Sequence, residues 1–122
     1  MIVGIGVDIC EIARIERAME KAGFLPRFFT REECDYVAAR AQMGAQSAAG
    51  LFAAKEAMLK ALGKGLAIPM RDVGVTHDAL GAPQACLSGA AAKRLCELGG
   101  RRMLLSISHD GGMAVAMAVA EG

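Results

Sequence analysis

Residues 51–65, LFAAKEAMLKALGKG, constrain this chain more than any other stretch. Set on a helix at about 100° per residue, they show no ordinary amphipathic stripe. Leu51, Phe52, Met58, Leu59 and Leu62 fill one arc, and Ala53, Ala54, Ala57 and Ala61 fill most of the other side. A helix apolar on nearly all sides is buried on nearly all sides, so the remainder of the chain must wrap it. Yet it carries Lys55, Glu56 and Lys60. Lys55 projects among the large apolar residues, while Glu56 and Lys60 stand one turn apart where the large arc meets the alanine face. Charges in such a setting need partners: an opposite charge, a phosphate or a metal.

The N-terminal stretch supplies a candidate partner. Residues 2–9 alternate as a strand, with Val3, Ile5, Val7 and Ile9 on one face and Ile2, Gly4, Gly6 and Asp8 on the other. Two glycines on one strand face mark close approach by another backbone, and the alanine face of the helix is a matching surface. That packing predicts Asp8 near Glu56. Two carboxylates converging from different elements suit a hard cation such as Mg²⁺, which takes few carboxylates plus phosphates and water. The Gly-x-Gly here is no dinucleotide fingerprint, since Ile9 stands where a third small residue belongs. Gly63-Lys64-Gly65 is likewise no P-loop.

Along the remaining chain, residues 11–22 read as an amphipathic helix, with Ile12, Ile15, Met19 and Ala22 inward and Arg14, Arg17 and Lys21 in a basic stripe. The stripe is a solvated face or a docking surface for an acidic partner helix, with Arg27 and Arg31 extending it. Gly23 closes that helix and Pro26 keeps the next residues out of it. Thr30 and Glu33 have the spacing of a capping box for a helix to about Arg40. Residues 42–50 read as a loop, with Ser47 as a cap for the central helix, which Gly63 and Gly65 end. Residues 71–77 and 83–87 form a hairpin around Asp78 and Gly81. Ser88 caps a helix to Leu98. Residues 103–109 and 113–120 form a second hairpin, turning at Asp110-Gly111-Gly112.

Composition excludes several classes. The 122 residues make a single domain, 1–122, large enough for its own core. A formal charge of +1 and the absence of Trp argue against a nucleic-acid platform. Cys10, Cys34, Cys86 and Cys96 lack zinc spacing and read as small buried thiols in a reducing cytoplasm. The apolar N-terminus has no basic region and is interrupted by Asp8, so it reads as neither signal peptide nor membrane span.

Four motifs then occur in order: Gly4-Ile5-Gly6-Val7-Asp8-Ile9, Phe29-Thr30-Arg31-Glu32-Glu33, Phe52-Ala53-Ala54-Lys55-Glu56-Ala57 with Lys60 and Gly63, and Ser106-Ile107-Ser108-His109-Asp110. In this combination and spacing the chain resembles holo-acyl-carrier-protein synthase, the small bacterial 4′-phosphopantetheinyl transferase, over essentially its whole length. The resemblance implies an α+β fold, a mainly antiparallel sheet packed by helices, assembling as a homotrimer with active sites between subunits. It implies transfer of 4′-phosphopantetheine from coenzyme A to a serine of apo acyl carrier protein, releasing adenosine 3′,5′-bisphosphate, in fatty-acid or polyketide synthesis. Asp8 and Glu56 correspond to the Mg²⁺ ligands, and Lys60 to the lysine near the pyrophosphate. Lys55, Lys60, Gly63, Ser108 and His109 fall in coenzyme A-binding segments, and Arg14, with Arg17 and Lys21, on the helix that meets the carrier protein. The resemblance implies neither nucleic acid nor membrane as a partner. Glu56, directly or through a water, is the candidate base for the serine proton.

The chain departs from the family pattern at Leu51, where an Arg is common, at Ala82 in the hairpin, and in the uncharged loop before the central helix. A coenzyme A phosphate contact is then either lost or supplied by Arg40 or Lys64. The competing readings are a non-catalytic carrier-binding module on the same fold and a structural oligomer whose small-residue faces serve packing alone.

Overall fold

The computed structural model describes residues 1–63 and 67–122, so the expected helix stop at Gly65 and any phosphate contact from Lys64 lie outside the described residues. Strand β1 (Ile2–Glu11) leads into helices α1 (Ile12–Met19), α2 (Phe24–Phe28), α3 (Arg31–Ala39) and the long α4 (Gly44–Leu62). Then follow β2 (Val73–His77), β3 (Pro83–Leu87), α5 (Gly89–Glu97), β4 (Arg102–Asp110) and β5 (Met113–Glu121). Among the described residues the strands form two antiparallel sheets, one ordered β1-β5-β4 and one pairing β2 with β3. The fold is α+β.

Helix α4 is the axle. Leu51, Met58 and Leu62 of its large arc and Ala53, Ala54 and Ala57 of its small face are all buried. The small face packs on the three-stranded sheet through backbone. A Cβ at Gly4 would collide with the Ala61 carbonyl, and one at Gly6 with the Ala57 carbonyl. The central strand matches this: Ala114, Ala116, Ala118 and Ala120 of β5 are buried on the same side. Small residues on both surfaces bring helix and sheet close enough to align Asp8 of β1 with the last turns of α4.

The other face of that sheet is apolar and open. Ile5, Val7 and Ile9 lie opposite Val119, Met117 and Val115. Ile5 is 63%, Val7 52%, Ile9 61% and Met117 45% exposed. A contiguous exposed apolar face of this kind marks an interaction surface.

Several local expectations change. Residues 44–50 are the first turns of α4 rather than a loop, so Ser47 lies inside the helix and caps nothing. Ala45, Ala48 and Ala49 are strong helix formers, and tertiary packing outweighs Gly44 and Gly50. Helix α1 starts at Ile12 because β1 continues through Glu11, and it stops at Met19, leaving Lys21 beyond its end. Residues after Gly23 form the short α2, with Pro26 in its first turn, where a missing N–H costs nothing. Ser88 stands at the N-cap of α5 without a capping bond from its side chain. Instead Asp72 Oδ2 accepts the N–H of Ala90 at 3.0 Å. All four cysteines are free, but Cys86 and Cys96 are exposed rather than buried.

Candidate active site

The lysines of α4 part company. Lys55 is fully buried, with its Nζ 2.7 Å from Glu33 Oε1. It also donates to the carbonyls of Met70 at 3.0 Å and Val73 at 3.2 Å. Glu33 in turn closes the expected capping box: its Oε1 accepts the Thr30 N–H at 2.8 Å, and Thr30 Oγ1 accepts the Glu33 N–H at 3.2 Å. Glu33 Oε2 accepts the Val75 N–H at 2.6 Å. Burial pushes the Lys55 ammonium below its ordinary pKa, and the Glu33 charge and hydrogen bond work against that. The partner that Lys55 requires is thus an opposite charge. With its donors spent inside the core, Lys55 has nothing to offer a cofactor phosphate, which corrects the expectation of a coenzyme A contact there.

Lys60 faces the other way. Its Nζ is 3.0 Å from Asp8 Oδ1 and 3.0 Å from the Val7 carbonyl, and the side chain is half exposed. Glu56 lies one turn back, partly buried. Its carboxyl is pushed above the ordinary range first by that burial and next by the negative charge of Asp8, with Lys60 and Arg14 opposing. Asp8, Glu56 and Lys60 therefore form one charged cluster, as the strand and helix patterns predict. The direct contact is Lys60–Asp8.

This donor set fits a divalent cation. The Asp8 charge raises the cost of ionising Glu56, and a cation between the two carboxylates would relieve it. No group of three or more acidic, His or Cys side chains suited to a metal occurs among the described residues. Mg²⁺ is a cation that uses one or two carboxylates and fills its shell with substrate phosphate and water. Asp8 and Glu56 would hold it.

Ser108 and His109 lie elsewhere. They alternate on β4, so His109 faces α4 and Ser108 faces the open side of the sheet, opposite Val115. His109 Nε2 is 3.0 Å from the Gln46 carbonyl, and a Cβ at Gly50 would strike the ring. Gly50 thereby leaves room for the imidazole against the helix. Along α4 the rise from Gly50 is about 9 Å to Glu56 and about 15 Å to Lys60, so His109 stands apart from Lys60 within one chain. His109 instead lines a cavity of about 210 Å³ with Arg40, Tyr36, His77, Gln46 and Leu51. Leu51, where the family pattern has a basic residue, is buried there. Its place as a cation is open to Arg40, whose guanidinium lies 5.7 Å above the Tyr36 ring. Tyr36 stacks on His77 with centroids 4.0 Å apart and planes 8° from parallel. Burial, then the Arg40 charge, hold the His77 pKa below its ordinary value. Sequence reading missed this stack, because its members lie on α3 and the end of β2 and share no spacing.

Gly63 ends α4 at φ +71°, a left-handed conformation that favours glycine, and its N–H returns to the Leu59 and Lys60 carbonyls. It fixes the turn after Lys60. Arg14, Arg17 and Lys21 are exposed. Arg17 pairs loosely with Glu11 at 3.8 Å.

Residues 4–118 match the family model described as the 4'-phosphopantetheinyl transferase superfamily. The chain belongs to that superfamily. It is 43% identical to the holo-[acyl-carrier-protein] synthase of Treponema denticola over 100% of both chains. Among solved structures it is similar to the synthase of Neisseria meningitidis, with TM-score 0.88 and 40% identity over 100% of both chains. It is similar also to a Bacillus anthracis synthase in complex with CoA (3',5'-ADP). That match has TM-score 0.83 and 36% identity, covering 100% of this chain and 98% of that one.

Proposed function

We propose that this member of the superfamily transfers 4′-phosphopantetheine from coenzyme A to a serine of apo acyl carrier protein, releasing adenosine 3′,5′-bisphosphate. The observation that carries the reading is the Asp8–Lys60 contact beside Glu56 at the accessible edge of an otherwise buried helix. The coenzyme A complex of the Bacillus anthracis relative supports the choice of donor.

Each residue has a task. Mg²⁺, when held by Asp8 and Glu56, supplies neutralisation of the pyrophosphate charge. Lys60 stabilises the charge that builds on the departing bisphosphate as its P–O bond breaks and the serine oxygen bonds to phosphorus. Glu56, directly or through a water, takes the serine proton. The His109–Arg40 cavity, which among the described residues no acidic side chain lines, holds a phosphate of the nucleotide end. Because that cavity lies about 15 Å along α4 from Lys60, the complete site joins Lys60 of one subunit to His109 of a neighbour. The open Ile5, Val7, Ile9 and Met117 face supports the trimer that would do this. Exposed Arg14, Arg17 and Lys21 receive the acidic carrier. Free thiols fit the cytoplasm, and among the described residues no helix is long and apolar enough to cross a membrane.

The test is intact-protein mass spectrometry of an apo acyl carrier protein incubated with this chain, coenzyme A and Mg²⁺. A phosphopantetheine-sized mass gain is expected, lost with EDTA and in Asp8→Ala. Carrier binding without any gain would overturn the reading and leave a non-catalytic binding module.

A further inference from the structure

Lys60 stands in the last turn of α4, and the end of a helix is the part that frays most readily. The last four carbonyls of a helix have no partner inside it. Here the Gly63 N–H serves those of Leu59 and Lys60. The Ala61 carbonyl lies against Gly4, where a Cβ would strike it. The final carbonyl, that of Leu62, is taken by another element: Arg94 of α5 donates to it from Nε at 2.9 Å. Arg94 is itself held in place. Its Nη1 lies 3.6 Å from Glu97 Oε1 one turn on, and the start of α5 is tied down by the Asp72 carboxylate, which accepts the Ala90 N–H at 3.0 Å. A guanidinium at the C-terminus of α4 also meets the negative end of the helix dipole.

The turn that Arg94 clamps is the one that carries the reacting charge. Lys60 Nζ reaches the Val7 carbonyl and Asp8 Oδ1, each at 3.0 Å. A lysine stem is long and flexible, so where its ammonium stands depends on where its turn stands. We propose that Arg94 is a positioning residue for Lys60: by holding the Leu62 carbonyl it keeps the last turn of α4 wound and the ammonium beside Asp8. It acts through Lys60 and contacts no reacting atom. The inference rests on the transfer reading, and it gives Arg94 an effect on the bond-breaking step rather than on the binding of either substrate.

The test is a double-variant cycle on the full chain, read by single-turnover transfer at saturating coenzyme A and Mg²⁺, with steady-state KM values beside it. Arg94→Met keeps the aliphatic stem and loses the donor. It is expected to lower the transfer rate about 10-fold, less than the roughly 10²-fold that a misplacement of about 1 Å can cost. KM for coenzyme A and for the carrier protein should each stay within about 2-fold, the mark of an interaction felt in the transition state alone. Arg94→Lys, which can still donate to the Leu62 carbonyl, is expected to recover most of the rate. In a Lys60→Ala background, Arg94→Met should change the rate by less than about 2-fold, because residues that act as a unit are not additive. An undiminished loss in that background would overturn the proposal, since Arg94 would then act on something other than Lys60. A parent-like rate in Arg94→Met would overturn it as well, and both results leave the transfer reading standing. If Arg94→Met does not fold, Arg94→Gln carries the same cycle. A parent chain that transfers nothing would overturn the transfer reading and this inference together.

Discussion

The core side and the open edge of α4 carry lysines five positions apart with opposite surroundings. Lys55 meets a carboxylate and two carbonyls in the dry interior, and its contacts knit α3, the segment before β2, and α4 together. Lys60 meets a carboxylate and a carbonyl at the surface, and its head group remains half exposed. The chemical groups are nearly the same, and solvent makes the difference. Desolvation turns the first pair into a structural joint whose halves cannot be separated cheaply. Water around the second keeps the Lys60–Asp8 pair weak and exchangeable, as the proposed phosphate role of Lys60 requires.

Removing Lys55 is expected to give the largest effect. Lys55→Ala leaves Glu33 buried and unpaired, at a cost of about 3–5 kcal/mol measured by urea unfolding. The double variant Lys55→Met with Glu33→Gln should recover part of that loss. If Lys55→Ala unfolds at the parent's midpoint, the joint is not structural. Lys60→Ala should reverse the pattern. Its fold should hold to within about 1 kcal/mol, while the transfer rate falls about 10²–10³-fold, the scale for losing one group that stabilises transition-state charge.

A smaller effect tests the backbone packing that brings the two sides into register. Gly6→Ala places a methyl against the Ala57 carbonyl, so strand and helix must part. About 1–3 kcal/mol of stability should go, read by thermal melting. The smallest effect lies at His77. Its pKa is lowered in the folded chain from an ordinary 6.5. The unfolded chain therefore takes the proton first, and stability should fall as pH drops below about 6.5. His77→Phe should flatten that slope; an unchanged slope would mean that His77 does not cause it.

Much of this was legible in the sequence because it follows from spacing. The Gly4–Gly6 face, the alanine face of α4, the Thr30–Glu33 capping box and both hairpins are local patterns, and the packing of glycine on alanine led from them to Asp8 beside Glu56. What the sequence concealed is tertiary. Lys55 stands next to Glu56 in the same motif, and only the fold reveals that Glu33, itself already a capping residue, is its partner. The first turns of α4 looked like a loop because Gly44 and Gly50 break the local pattern. In the fold the lack of a side chain at Gly50 makes room for His109. Arg40, Tyr36 and His77 meet only because α3 lies against the β2–β3 hairpin.

The division of labour along α4 is tested most directly by the single-turnover transfer rate of Lys60→Ala at saturating coenzyme A and Mg²⁺, with its urea midpoint taken on the same preparation. The account predicts a parent-like midpoint and a rate down by about 10²-fold or more. A parent-like rate would contradict it, for then the exposed lysine, like the buried one, would serve only the fold.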